Sequence, residues 1–79
     1  MKSITGADLL TMRGRFEIAS HFDDGSLVAT IAAAKRYADE VIWEQVTDVD
    51  TDDGDVLITV DGVQTAVRRY SYLVVREVA

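Results

Sequence analysis

Apolar positions along this chain follow two periods, and each predicts a different kind of element. Residues 13–22 alternate: Phe16, Ile18 and Phe22 point one way while Arg15, Glu17 and His21 point the other, the pattern of a half-buried strand. Asp23-Asp24-Gly25-Ser26 interrupts it. Leu27, Ile31, Ala34, Ala38 and Val41 then recur every three or four residues, with Lys35, Arg36, Asp39 and Glu40 on the wet side. That spacing predicts one long amphipathic helix, started by Asp and Ser side chains that accept its free N–H groups. A rival reading makes Asp24-Gly25 a hairpin turn, with 26–31 a second strand and a shorter helix after it. The unbroken 3.6-residue period to Val41 favours the long helix.

The second half returns to the strand period. Residues 42–50 carry Ile42, Trp43, Val46 and Val49 among β-forming neighbours. Asp52-Asp53-Gly54-Asp55 reads as a turn, and Val56, Ile58 and Val60 alternate with Leu57, Thr59 and Asp61. Asp61-Gly62 is a two-residue hairpin signal. The returning strand is expected from Gln64 to about Glu77. Tyr70, Tyr72, Val74 and Val78 share one parity and Leu73 and Val75 the other. A strand apolar on both sides is covered on both sides, or carries a bulge near Arg68-Arg69. The stretch from Tyr70 to Val75 is therefore expected inside the sheet, or else paired across a homodimer. Near the N-terminus, Thr5 and Asp8 have capping-box spacing for a short helical turn over 5–12. The expected fold is α+β: one main helix packed on an antiparallel sheet of about four strands, as a single compact domain over 1–79.

Charge changes this picture most. Residues 37–67 hold nine carboxylates and no lysine or arginine: Asp39, Glu40, Glu44, Asp48, Asp50, Asp52, Asp53, Asp55 and Asp61. All eight basic residues lie elsewhere, and the net charge is −6. A coherent negative field repels nucleic acid and membrane headgroups and attracts basic protein surfaces. Glu44, Asp48, Asp50 and Asp52 share parity, so a regular strand would put them on one face, about 6.7 Å apart. That is roughly half the charge density of one DNA strand, which carries a charge per about 3.4 Å. A convincing DNA decoy needs a second row, for which the Asp55 to Asp61 hairpin and the Asp39-Glu40 helix end are the candidates. Composition adds bounds. There is no cysteine, so no disulfide or thiolate metal site. Met1 to Gly6 has no apolar h-region, and no apolar stretch is long enough to span a bilayer, so a soluble, cytoplasmic protein is expected.

Catalytic and metal chemistry find little support. Asp48, Asp50 and Asp52 match the first ligand positions of an EF-hand loop. Asp53 stands where that loop needs glycine, and Thr59 where it needs a bidentate glutamate. Calcium binding no tighter than about millimolar is expected. His21 is the only histidine, too few for zinc. Ser20 and His21 are strand neighbours pointing to opposite faces, so they do not form a nucleophile–base pair. No carboxylate spacing selects an acid/base pair, and no cofactor is implied. Trp43 and the tyrosines are expected in the core. The partner-binding residues are read as Asp48, Asp50, Asp52, Asp53, Asp55 and Asp61, with Glu44 helping. The partner is a basic protein surface, with no direct nucleic acid and no membrane, for a monomer or homodimer. A calcium module and a small oligomerisation module are the alternatives.

In its small size, acidity, lack of cysteine and expected single helix on an antiparallel sheet, the chain resembles the phage-encoded anti-CRISPR proteins. The stretch from Ala33 to Trp43 (AAKRYADEVIW) adds to the likeness. Similarity is greatest to those acting on type I Cascade complexes, the type I-C system in particular. The resemblance implies a non-enzymatic inhibitor, working in the bacterial host cell, that docks on the DNA-binding surface of a Cascade subunit and blocks target DNA. No residue role is implied by position, because that family shares no motif.

Overall fold

The computed structural model describes residues 1–78, and they are mainly β. Strands β1 (Lys2–Thr5), β2 (Phe16–His21), β3 (Val41–Asp52), β4 (Asp55–Val60), β5 (Val63–Val67) and β6 (Tyr72–Glu77) form one antiparallel sheet in the order β1-β6-β2-β3-β4-β5. Helix α1 spans only Ile31–Arg36, and two 3-10 helices cover Gly6–Thr11 and Ala38–Glu40. The expected α+β fold, one main helix on about four strands, is thus corrected to a six-stranded sheet with short helical pieces.

The long helix fails for a non-local reason. The β2–β6 ladder closes at Ile18–Val75 and then opens. Val28 fills the gap: its N–H donates to Ala19 O at 3.0 Å, and its O accepts from Val74 N–H at 3.0 Å. Leu27 bridges Ser20 in the same extended segment. Residues held in a ladder cannot also start a helix, so α1 begins three residues later. There Thr30 Oγ1 accepts the Ala33 N–H at 3.1 Å, an N-cap. The chain between β2 and Leu27 turns back at once, with His21 N–H donating to Ser26 O at 2.8 Å. This is closer to the rival hairpin reading than to the long helix.

The C-terminal half divides where one strand was expected. β5 ends at Val67 and β6 starts at Tyr72. Four strand spacings separate β5 from β6 in the sheet order. In a flat sheet that is about 19 Å, yet five chain steps reach at most about 18 Å. The sheet must therefore curl. Its concave side holds the main core: Leu9 from the first 3-10 helix, Phe16 and Ile18, Val46, Val56 and Ile58, Val67, Leu73 and Val75. Gly6 is obligatory at the seam, since a Cβ there would lie 2.3 Å from Arg68 O. Its helix is capped as the Thr5–Asp8 spacing suggests, with the Thr5 N–H donating to Asp8 Oδ2 at 3.0 Å.

On the convex side, Val74 and Ala19 pack with Val28 and Ala34 under α1. Leu73, Val74 and Val75 are all fully buried, so β6 is covered on both faces and lies between β1 and β2. Each such side chain contributes about 1.5–3 kcal/mol by leaving water. The layer formed by α1 and the 27–30 segment reaches β3 only at its start, where Val41 and Trp43 pack against it. Beyond Trp43 the outer face of β3 and β4 leaves Asp48, Asp50, Asp52 and Asp55 exposed.

Candidate functional site

β3 and β4 are joined by Asp53-Gly54, and β4 and β5 by Asp61-Gly62. All four turn residues have positive φ: 49° and 91° in the first, 51° and 77° in the second. This is the turn geometry whose twist matches paired strands, and Asp-Gly is well suited to it. Asp52 and Asp55 face each other across the first hairpin; Asp50 faces Leu57 and Asp48 faces Thr59.

A β-bulge decides which carboxylates share a face. Val46 pairs with Val60, but Asp48 pairs with Thr59, so β3 spends two residues against one on β4. The extra residue is Thr47, whose Oγ1 donates to Thr59 O at 3.2 Å. Val46 before the bulge and Val49 after it both turn inward to the main core. Asp48, Asp50 and Asp52 therefore lie on the outer face, with Asp55 beside them and Asp53 at the hairpin tip. All five are exposed. Glu44 falls on the inner face, paired with Ile18 and accepting a hydrogen bond from the buried Ser20 hydroxyl at 3.1 Å. The one-face reading of Glu44 with the aspartates is corrected on this account. Asp61 sits at the far end of β4, about 20 Å from Asp55 by strand rise. It lines the same inner groove as Glu44, together with Leu27 and Val63.

The second row of charge that a DNA decoy needs does not form within one copy. On the outer face β4 presents Asp55, Leu57 and Thr59, of which only the first is charged. Asp39 and Glu40 precede the start of β3, far from Asp48 along a twelve-residue strand. The result is a single strip with one carboxylate per about 6.7 Å, widened at the hairpin end. Asp48, Asp50 and Asp52, which match the first ligand positions of a calcium loop, lie in a strand rather than a loop. Calcium ligands sit at 2.3–2.6 Å, so their oxygens must lie within about 5 Å of one another, closer than alternate strand residues start. Among the described residues no group of three or more His, Asp or Glu is arranged to hold a metal.

Two carboxylates outside the strip have local work. Hydrogen bonds from Thr5, its backbone N–H first, hold the Asp8 carboxyl below its ordinary value of 3.8. The Ser26 hydroxyl and N–H do the same for Asp24. His21 is half-buried, its ring edge-on to Tyr37 at 6.3 Å. Trp43 is half-buried under Arg76, whose guanidinium lies 4.3 Å from the ring centroid and donates to Glu17 at 2.7 Å. Trp43 and the tyrosines are expected in the core, but Tyr70 is 85% exposed, Tyr72 62% and Tyr37 42%; Phe22, read on the apolar face of its strand, is also exposed. Tyr70 follows Arg68-Arg69 in the β5–β6 connection, a site that sequence reasoning missed by running one strand through it. No helix among the described residues is long and apolar enough to cross a membrane. Comparison with protein-family models, with curated proteins and with solved structures finds no match.

Proposed function

We propose that this chain is a non-enzymatic docking protein whose outer β3–β4 face occupies a lysine- and arginine-rich protein surface that otherwise holds DNA. One observation carries the reading. Asp48, Asp50, Asp52 and Asp55 stand together on an exposed strand face, with Asp53 at the hairpin tip beside them, in a stretch of 31 residues (37–67) without a single basic side chain. A rigid two-stranded hairpin holds these charges at fixed spacing, so little ordering entropy is lost on docking. Long-range attraction speeds encounter, and a basic surface neutralised by the docked strip no longer attracts DNA. The strip acts as a competitor for a few basic side chains rather than as a full duplex copy, since one copy supplies one row.

The resemblance to anti-CRISPR proteins makes the type I-C Cascade complex the partner to assay. Purified complex is incubated with labelled duplex target DNA in the presence of wild type or of Asp48→Lys/Asp50→Lys/Asp52→Lys. Wild type is expected to displace the DNA, less well as salt rises, because exposed charges are screened beyond about 8 Å at physiological ionic strength. The triple variant is expected to keep its fold and lose competition. A folded triple variant that competes as well as wild type refutes the role of this face. A wild type that never competes refutes the partner.

A further inference from the structure

We propose that β5 is a self-pairing edge, and that two copies of this chain join their sheets antiparallel through Val63–Val67. The sheet has two edges, β1 and β5. β1 is four residues long, begins with Lys2, and has Ser3 tied to Ala29 O at 2.9 Å. β5 reads Val-Gln-Thr-Ala-Val: no charge, no proline, and a ladder to β4 without a bulge. Those are the devices by which soluble proteins protect a strand edge, and β5 has none of them. Four of its five residues are exposed, Val63 to 63%.

The hydrogen bonding of the hairpin fixes which groups are free. In a two-residue turn the closing pair, here Val60 and Val63, exchanges both its bonds. Bonded and non-bonded pairs alternate from there, so Thr65 and Val67 also bond inward. The N–H and C=O groups of Gln64 and Ala66 then point outward. Pairing about a two-fold axis at Thr65 sets Gln64 of each copy against Ala66 of the other. All four outward N–H groups then find carbonyls, and each Val63 faces a Val67.

Charge selects a second copy of this chain as the occupant. Asp61 ends the strand on one side, and Arg68 and Arg69, both exposed, end it on the other. An antiparallel two-fold axis brings each Asp61 end against an Arg68-Arg69 end. A two-fold interface must be self-complementary in this way. A strand from a strongly basic protein would meet its own charge at the arginine end. The pairing also supplies what one copy lacks. The outer faces run on continuously, and the two Asp48–Asp52 rows then lie five strand spacings apart, about 24 Å along the sheet.

The test needs no partner protein, so its outcome is separable from that of the docking assay. Sedimentation equilibrium is run at roughly 100 µM, above the micromolar range expected for a small interface. Wild type is expected near twice the 8.7 kDa chain mass. Gln64→Pro removes one outward N–H at an edge position that tolerates proline and should give a folded monomer. Arg68→Glu/Arg69→Glu leaves the strand untouched and should raise the dimer dissociation constant about tenfold or more. In wild type, amide exchange at Gln64 and Ala66 should slow as concentration rises. A wild type that remains a monomer overturns the proposal and gives the edge to some other strand. A dimer whose Gln64 and Ala66 amides exchange at one rate throughout overturns it too, since the interface is then elsewhere. If Gln64→Pro does not fold, the arginine variant and the exchange measurement decide alone.

Discussion

Asp52→Lys is expected to make this protein more stable while weakening its docking. Asp52 and Asp55 face each other directly across the β3–β4 hairpin, both exposed. Opposed side chains have Cβ atoms about 5 Å apart, which puts the two charges about 6 Å apart. In water that separation is worth about 0.7 kcal/mol of repulsion, and physiological salt cuts it to about 0.3. Asp50, about 6.7 Å along the strand, adds about 0.3 kcal/mol. Neutralising the residue as Asp52→Asn should then gain about 0.6 kcal/mol, and reversing it as Asp52→Lys about 1.2. For a domain of this size 1 kcal/mol moves Tm by about 4–8 °C. Thermal unfolding followed by circular dichroism measures it, at salt from about 0.05 M to about 1 M. Wild-type Tm should rise with salt, Asp52→Asn less, and Asp52→Lys least or not at all. If Asp52→Lys gains nothing and wild-type Tm ignores salt, Asp50, Asp52 and Asp55 do not repel one another as their pairing across the hairpin requires.

Three further outcomes follow from the core and the caps. Leu73→Ala, at a fully buried position facing the main core, should lose about 2–5 kcal/mol in urea unfolding, since the curled sheet cannot collapse onto the void. Gly6→Ala should lose about 1–3 kcal/mol, because its Cβ would lie 2.3 Å from a backbone oxygen that is held by the β5–β6 connection. Asp8 has a lower pKa folded than unfolded, so its contribution is complete at neutral pH and fades as pH falls below about 4. Asp8→Asn should therefore lower stability near pH 7 and flatten the acid limb of a pH–stability curve. An unchanged acid limb would show that the Thr5 hydrogen bond does not hold the carboxylate.

What the sequence by itself determined was local. Asp53-Gly54 and Asp61-Gly62 make hairpins because only a few residue types accept positive φ cheaply, and that preference acts over two positions. The alternation of Phe16 and Ile18, and of Val56 and Ile58, marked inward faces that the core then used. Thr5 and Asp8 declared their cap at a spacing of three. The acidic block was visible as composition, and so was the need to cover β6 on both sides. The tertiary structure alone decided the rest, each time through a contact far away in sequence. Val28 is not helical because Ala19 and Val74 hold it between their strands. The stretch from Gln64 to Glu77 broke at 68–71 because its second half belongs between β1 and β2, and a curled sheet brings that slot within reach. Thr47 became a bulge, and one extra residue moved Glu44 to the opposite face from Asp48. A period-two pattern carries no mark of where such a slip occurs. The pairing of β3 with β4 sets it, through the demand that Val46 and Val49 both reach the core.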